Sequence, residues 1–374
     1  MGKKKLIYIG YNSSVFSSQV IDLLNEIAKY DYKVYLITNY KGYLKNKKVK
    51  KYILKLYPDY PLITQLTYRQ LYKIFKDIGI DRYTIVHVRY DVVGVNVYRF
   101  LNKKYPEFSN LLVDARAALY EEIEEYYNFN PILKKIKLHY LKSLRKYYPK
   151  IQYWSAVSNE MKNYIVKLNN NSNYVYKNPS LAGKKFRYDE EQRELIRNKL
   201  NISKYVKLIV FSSVGSTKWN NIDQIIDYFS NFGNKVKFLI LTNKKYKNNK
   251  NLINMYVPYE YMYKYLSAAD IGIILRDESI VNNVASPVKF SEYVCCGLPV
   301  IANKNVCMIN NFISNDISGK LIDDISDIDE KVMDDLIKLN RKKIAKLGKM
   351  EFGCSHIVKN YLEIYNNIFE HDKN

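Results

Sequence analysis

The sequence contains only four cysteines in 374 residues and no run of about 18 consecutive apolar residues. The thiols are Cys295, Cys296, Cys307 and Cys354, and their spacing matches no zinc-binding pattern. So few thiols in so long a chain indicate a reducing compartment. Without a long apolar run, a transmembrane helix is not expected. The apolar segment after the basic N-terminus ends at Gly10, which is too short for a signal peptide and predicts a buried strand. We therefore expect a cytoplasmic protein.

Acidic residues are scarce relative to basic ones, with 37 Asp and Glu against 60 Lys and Arg and a net charge of +23. A charge of this sign attracts nucleic acid, anionic lipid headgroups or phosphate-bearing substrates. The sequence has neither a zinc module nor an RNA-recognition signature. A basic nucleic-acid-binding protein is thus the less favoured alternative, and no nucleic-acid partner is expected. Asp277 and Glu278 are adjacent, but neighbouring carboxylates on a loop are usually solvated, so no metal is expected.

Length and periodicity predict two α/β domains. The chain exceeds the size at which one hydrophobic core stops growing. Short apolar strands alternate with helical segments, stop at a polar segment between residues 169 and 185, and then resume, which predicts two parallel sheets with helices on both faces. The predicted strands are Leu6–Ile9, Val34–Ile37, Thr84–Val88, Leu111–Val113, Trp154–Val157, Lys207–Ser212, Val236–Thr242, Asn254–Val257, Ile271–Leu275 and Val300–Ala302.

The segment from 285 to 301 carries the clearest local signal. Ser286 is a suitable N-cap, Pro287 suits the first helical position, and Gly297 ends the helix predicted at 287–296. Lys289 lies in the first turn, where a cation opposes the helix dipole and an anion bound at the helix terminus would reverse that effect. Glu292 follows on the same side and can accept hydrogen bonds from two vicinal hydroxyls, such as those of a ribose. The alternative is a surface ion pair worth about 0.3 kcal/mol.

Three segments resemble one enzyme family. Ser286 to Ile301 fits a Ser-Pro-x-Lys-Phe/Leu-x-Glu-Tyr-x-x-x-Gly-x-Pro-Val-Ile core, which is similar to the donor-binding segment of the retaining family 4 glycosyltransferases of the GT-B fold. Residues 257–273 and 211–219 resemble other donor-side segments of that family, in matching order. The resemblance implies two Rossmann-like doubly wound parallel-sheet domains that face each other across a cleft. Residues 1–183 with a returning helix at 356–374 would form the acceptor-side domain, and residues 184–355 the donor-binding domain.

The resemblance also implies an activity: transfer of a sugar from a nucleotide diphosphate sugar to a hydroxyl of a glycan or lipid-linked acceptor, with retention, in cell-surface polysaccharide synthesis. In this interpretation Lys218 and Lys289 stabilise the leaving diphosphate, and Arg116 positions the sugar. A nucleotide-sugar epimerase of the same fold is the alternative. The residues expected to bind the donor are Gly10, Ser213, Val257, Asn282, Ser286, Lys289 and Glu292.

Two positions depart from the family pattern. Val284 stands where many members have the first of two glutamates, and Ser213 where many have an arginine. Asn282 or Ser279 is therefore the expected contact to the donor sugar.

Arg116 and His87 can each have a structural role instead of a functional one. Arg116 can form a surface ion pair with Glu121 or Glu122, and His87 is expected to be a core residue.

The stretch Leu133–Tyr148 is predicted to be a basic amphipathic helix. Such a helix can lie on an anionic membrane, which would place the protein peripherally on the inner membrane face. The alternative is a half-buried helix with a solvated basic face.

Overall fold

In the computed structural model, the described residues are 4–10, 19–42, 44, 46–55, 64–169, 174–213, 221–246, 250–313 and 317–371. They form two compact units, unit 1 comprising Met1–Pro179 and Ile357–Asn374, and unit 2 comprising Ser180–His356. The sequence predicts a domain boundary between residues 183 and 184, and it assigns the helix at 356–374 to the first domain. The contacts divide the chain at 179/180 and place residues from Ile357 onward in unit 1.

Unit 1 contains a parallel sheet of seven strands in the order β3-β2-β1-β4-β5-β6-β7. Its strands are β1 (Lys4–Ile9), β2 (Tyr32–Thr38), β3 (Val49–Ile53), β4 (Thr84–Arg89), β5 (Leu111–Ala115), β6 (Tyr153–Ala156) and β7 (Tyr174–Lys177). The strands that the sequence predicted occupy the centre of this sheet. Its two edges, β3 and β7, were missed, because edge strands are half-exposed and carry lysines and tyrosines instead of an apolar run.

Helices cover the sheet of unit 1. They are α1 (Ile21–Ile27), α2 (Thr64–Ile78), α3 (Asp91–Lys104), α4 (Leu119–Tyr126), α5 (Pro131–Leu144), α6 (Asn159–Asn169) and the part of α15 (Cys354–His371) from Ile357 onward. A 3-10 segment, Arg145–Lys150, follows α5. The stretch predicted as one helix, Leu133–Tyr148, is thus an α-helix that begins earlier and tightens at its end.

Unit 2 contains a parallel sheet of six strands in the order β10-β9-β8-β11-β12-β13. The strands are β8 (Lys207–Ser212), β9 (Val236–Leu241), β10 (Leu252–Met255), β11 (Ile271–Ile274), β12 (Val300–Asn303) and β13 (Gly319–Ile322). The helices are α7 (Glu190–Lys199), α8 (Ile222–Ser230), α9 (Met262–Ala268), α10 (Ile280–Asn283), α11 (Val288–Cys295), α12 (Cys307–Ile313), α13 (Glu330–Ile337) and α14 (Arg341–Phe352). The edges again differ from the prediction: β13 was missed, and β10 lies two residues before the predicted strand.

The sheet of unit 2 separates two apolar cores. Along β8, Leu208 and Val210 enter one core, while Ile209 and Phe211 enter the other, as alternate side chains of a strand must. Asp270 fixes the first core by pairing with Arg193 and Arg197, and by accepting a hydrogen bond from the backbone N–H of Leu208 at 2.7 Å. Asp270 belongs to one of the segments that resemble the glycosyltransferases, and here it is a structural anchor.

Within the described part of the chain, no helix is both long and apolar enough to cross a membrane.

Candidate functional site

Helix α11 begins one residue later than the sequence predicted, and its N-cap is Pro287 with no side-chain cap. The predicted N-cap, Ser286, has a different role. Its Oγ accepts a hydrogen bond from the backbone N–H of Ser180 at 3.0 Å, and its carbonyl accepts one from the Ser180 hydroxyl at 2.8 Å. Ser291 donates to the Ser180 carbonyl at 2.8 Å. The N-cap prediction for Ser286 is therefore wrong, because a long-range partner, which the sequence cannot reveal, occupies its hydroxyl.

The end of α11 follows the prediction. Gly297 has φ +68°, a left-handed conformation that favours glycine, and a Cβ there would lie 2.4 Å from the carbonyl oxygen of Arg341. The N–H of Leu298 donates to the Tyr293 carbonyl at 3.0 Å, which closes the last turn. The helix is thus held at both ends, and its first turn keeps a fixed direction.

Lys289 lies in the first turn of α11, half-buried, with its Nζ 3.9 Å from the centre of the Phe211 ring. Burial holds the pKa of Lys289 well below its usual range, the nearby Arg276 guanidinium lowers it further, and Glu292 acts in the opposite direction. Glu292 is itself buried on the same helix. Two cations and one carboxylate therefore share a small volume, an arrangement that an anion would stabilise.

Arg276 is the residue of this group that the sequence analysis missed. It follows β11 and is buried, and its Nη1 donates to the Asn282 side-chain oxygen at 3.0 Å. Asn282 in turn donates from Nδ2 to the Asp277 carbonyl at 2.9 Å. Asn303 and Asn305 both donate to the Arg276 carbonyl at 2.7 Å. The amide of Asn282, expected to contact the donor sugar, thus holds the arginine in place.

Tyr293 connects α11 to the carboxyl end of β8. Its hydroxyl accepts a hydrogen bond from the backbone N–H of Ser212 at 2.7 Å and lies 3.0 Å from the Ser212 hydroxyl. Its ring passes so close to β11 that a Cβ at Gly272 would lie 2.4 Å from it. These contacts fix the position of Ser213, whose N–H donates to the Leu241 carbonyl at 2.9 Å.

The other residues expected to bind the donor lie in both units. Val257 lies two residues beyond β10, and its side chain is buried in the core of unit 2. Lys218 lies outside the described residues, so its role stays a prediction. Gly10 ends β1 in unit 1, where its N–H donates to the Ile37 carbonyl at 3.1 Å. A Cβ at Gly10 would lie 2.9 Å from the Tyr8 ring, so local packing alone requires a small residue there.

A second charged cluster lies in unit 1, around the predicted site residue Arg116. Arg116 Nη1 lies 3.5 Å from a carboxylate oxygen of Asp114, and Nη2 donates to the side-chain oxygen of Gln19 at 2.9 Å. Arg89, the last residue of β4, places Nη1 3.9 Å from the same Asp114 oxygen. The alternative was a surface ion pair of Arg116 with Glu121 or Glu122. Glu121 instead pairs with Arg145 at 2.9 Å, and Glu122 accepts a hydrogen bond from the Tyr127 hydroxyl at 3.3 Å.

His87 lies beside this cluster and is completely buried, as expected of a core histidine. Its Nδ1 is 2.7 Å from the hydroxyl of Tyr365 in α15, and its Nε2 is 4.0 Å from Asp114. Burial lowers the pKa of His87 to about 4, against the attraction of Asp114, so the imidazole is neutral at pH 7. The C-terminal helix therefore completes the surroundings of a site that begins more than 200 residues earlier.

Both clusters lie where a doubly wound sheet binds ligands. The chain order reverses between β1 and β4 in unit 1 and between β8 and β11 in unit 2. Arg89 ends β4, and Arg276 follows β11 by two residues. Each arginine therefore stands at the carboxyl end of a strand that borders a topological switch point, the usual place for a ligand in this architecture.

The surface of α5 differs along its length. Tyr140, Leu141 and Leu144 are buried, whereas Leu133 and Ile136 are exposed. Ile132 extends the exposed apolar surface to three residues, and lysines surround it. The second half of the helix follows the half-buried alternative, and the first half has an exposed surface that is both apolar and basic.

Comparison with known proteins gives a result only at the level of structure. No family model and no curated protein matches the sequence. Sucrose-phosphate synthase from Thermosynechococcus elongatus superimposes with a TM-score of 0.72 at 13% identity, covering 98% of this chain and 100% of that one. A glycosyltransferase from Rickettsia africae gives 0.70 at 16% identity, with 98% and 99% covered. Anabaena HepE, solved with UDP-glucose, gives 0.67 at 10% identity, with 97% and 99% covered.

The chain has the GT-B fold. The resemblance that three short motifs indicated is thus confirmed at the level of the fold, with sheets of seven and six parallel strands. In this GT-B protein, the first turn of α11 and the end of β11 together form a candidate anion site. The signal that could have revealed Arg276 was its position immediately after a predicted strand at the switch point.

Proposed function

We propose that this GT-B protein is a glycosyltransferase that uses a nucleotide diphosphate sugar. The observation that carries the proposal is the pair of cations, Lys289 and Arg276, at the switch point of unit 2, with Glu292 one helical turn away. Several proteins of the same fold support it, since HepE was solved with UDP and with UDP-glucose. WaaG, a glycosyltransferase involved in lipopolysaccharide biosynthesis, and WaaB, a lipopolysaccharide outer core galactosyltransferase, also superimpose on this chain.

In the proposed reaction, an acceptor hydroxyl forms a bond to the anomeric carbon as the bond to the diphosphate breaks. The negative charge that grows on the diphosphate is stabilised by Lys289, by Arg276 and by the backbone N–H groups of the first turn of α11. Glu292 binds the ribose hydroxyls. The leaving diphosphate takes the proton of the acceptor hydroxyl on the same face of the sugar, which retains the anomeric configuration. Arg116 positions the sugar, and the diphosphate needs no metal because the two cations offset its charge.

The finer proposal is a hexosyl transfer to a glycan or lipid-linked acceptor in cell-surface polysaccharide synthesis. The exposed apolar residues of α5 and their surrounding lysines favour an acceptor at an anionic membrane. Wild-type protein should sediment with vesicles containing phosphatidylglycerol at low salt. Replacement of Lys134, Lys135, Lys142 and Lys146 by Glu should release it. Wild-type protein that stays in the supernatant at low ionic strength would remove the membrane part of the proposal.

A panel of nucleoside diphosphates and nucleotide sugars tests the donor proposal directly. One nucleotide should raise the melting temperature in the presence of EDTA, and its sugar conjugate should be turned over under the same conditions. Glu292→Gln should weaken the nucleoside monophosphate as well as the diphosphate, because the proposed contact is to ribose. Glu194→Gln, at an exposed position of α7 in the same unit, is the matched control. No response to any nucleotide, or turnover that requires added manganese, would contradict the proposal.

A further inference from the structure

The charged cluster of unit 1 has more positive than negative charge, and it is almost completely removed from solvent. The side chains of Arg89, Asp114 and Arg116 are 5%, 1% and 6% exposed. Arginine keeps its proton even when buried. The charges that act on the adjacent His87 are those of Asp114, Arg89 and Arg116, and His87 itself is neutral. Two buried cations therefore share one carboxylate, which is costly unless a further anion is bound.

The geometry of the three side chains is that of an open ion cluster, because the charges are near each other without touching. The shortest separation from Asp114 is 3.5 Å to Arg116, and Arg89 lies at 3.9 Å. Among the described residues, neither carboxylate oxygen of Asp114 nor Nε of Arg89 has a hydrogen-bond partner. Buried polar groups are otherwise hydrogen-bonded in nearly every case. These groups therefore have donor and acceptor capacity that the described residues do not use.

The backbone beside the cluster is also unusual. Tyr90, which directly follows Arg89, has φ +75°, a conformation that costs free energy in a residue other than glycine. Its N–H donates to the Asp114 carbonyl at 2.9 Å, and its ring lies 5.3 Å from the Arg89 guanidinium. The strained residue thus fixes the end of β4 relative to the end of β5, and with it the spacing of Arg89 and Asp114.

We propose that Arg89 and Arg116 bind an oxyanion, a phosphate or a carboxylate, at the carboxyl ends of β4 and β5. Asp114 orients both guanidinium groups and sets how strongly the anion is held. The identity of the ligand rests on the proposed function: the oxyanion is a substituent of the acceptor sugar, which Arg116 holds in addition to positioning the transferred sugar. The site itself is independent of glycosyl transfer and can be tested without turnover.

The test measures anion binding calorimetrically at low ionic strength, with inorganic phosphate and acetate as the two probes and chloride as the control. All proteins carry Lys289→Ala, which weakens anion binding in unit 2 and leaves that remaining contribution equal in every protein compared. Arg89→Gln should weaken the preferred probe by about tenfold or more, because a charge-assisted hydrogen bond is lost. Asp114→Asn should strengthen it, because it removes the competing carboxylate. Arg82→Gln, which removes the same charge from an exposed position of unit 1, should change nothing.

Opposite signs for the two variants distinguish a ligand site from a structural ion cluster. A structural cluster predicts destabilised variants whose anion affinity equals that of the parent. Equal losses in Arg89→Gln and Arg82→Gln would reduce the effect to net charge and overturn the proposal, as would failure of both probes to bind.

If the variants do not fold, the parent protein with isotope-labelled histidine provides the answer. Phosphate or acetate should shift the imidazole signal of His87, one of four histidines in the chain, and leave that of the exposed His139 unchanged. An unchanged His87 signal at saturating probe would contradict the site.

Discussion

The two units carry the same set of charges in different local structures. In unit 1 the cluster is Arg89, Asp114 and Arg116, and in unit 2 it is Arg276, Lys289 and Glu292. Each consists of two cations and one carboxylate beside a topological switch point. In unit 1 the charges stand at strand ends and Asp114 is almost inaccessible, whereas in unit 2 two of them share the first turns of a helix. Both clusters thus have a position at a switch point and an excess of positive charge. They differ in the secondary structure that carries the charges, which is strand ends in unit 1 and mainly helix α11 in unit 2.

The largest effect is expected from acid in unit 1, whose cluster needs a neutral His87. The pKa of His87 is about 4 in the folded protein, and the unfolded chain titrates near the ordinary value. Between these values the unfolded state binds more protons, so stability falls as the pH falls from about 6.5 to about 4. His87→Gln should remove about 2–3 kcal/mol of that pH-dependent loss. Urea unfolding at pH 7 and pH 4.5 measures it.

His139→Gln, at an exposed position of the same unit, is the control for the acid experiment and should keep the full wild-type loss. If His87→Gln loses as much stability in acid as the wild type, protonation of His87 does not destabilise unit 1. The cluster of unit 1 would then accommodate protonated His87 as a third cation beside Arg89 and Arg116.

The next effect concerns ligand binding in unit 2. Lys289→Ala should weaken a nucleoside diphosphate by about ten- to a hundredfold, the equivalent of about 1.5–3 kcal/mol for a charge-assisted contact. Turnover should fall further, because the phosphate charge grows in the transition state. Stability without ligand should hold or rise slightly, since a cation at a helix N-terminus has been removed. Titration calorimetry and thermal unfolding measure the two quantities, with the exposed Lys343→Ala as the matched control.

Because the pKa of Lys289 is depressed, ligand binding to unit 2 should also change the number of bound protons. An anion favours the charged amine, so it raises the pKa of Lys289, and binding should take up protons from the solvent. Affinity should consequently decline as the pH rises through the pKa of the free protein. Calorimetry in two buffers with different ionisation enthalpies reveals the uptake. Equal proton uptake by wild type and Lys289→Ala would assign the effect to another group.

The smallest effect is expected from the hydrogen bond that connects α11 to β8 in unit 2. Tyr293→Phe removes the acceptor of the Ser212 N–H and leaves that buried donor unsatisfied, which should cost about 1–2 kcal/mol. Tyr265→Phe in the same core is the matched control, because the described residues supply no hydrogen bond to its hydroxyl. Denaturant unfolding compares the two, and equal losses would mean that the link between α11 and β8 contributes nothing specific.

The GT-B architecture was an expectation from the resemblance of three segments to one family. The residues alone determined the central strands of both sheets and the helix that carries Lys289 and Glu292. These are local properties: an unbroken apolar run marks a strand buried on both faces, and a proline, a glycine and a charge at fixed spacing mark the ends of a helix. The edge strands β3, β7 and β13 were not predicted, because half-exposed strands lack an unbroken apolar run.

Only the tertiary structure decided which distant residues form the sites. The sequence predicts that Ser286 caps a helix, but its hydroxyl accepts a hydrogen bond from the backbone N–H of Ser180, 106 positions away. Arg276 and Arg89 look like ordinary surface arginines in sequence, and each becomes part of a charge cluster because parallel strands bring their carboxyl ends to one edge. The side chains that meet at such an edge come from positions far apart in the chain. Their charge balance is therefore a property of the sheet order, which no local pattern encodes.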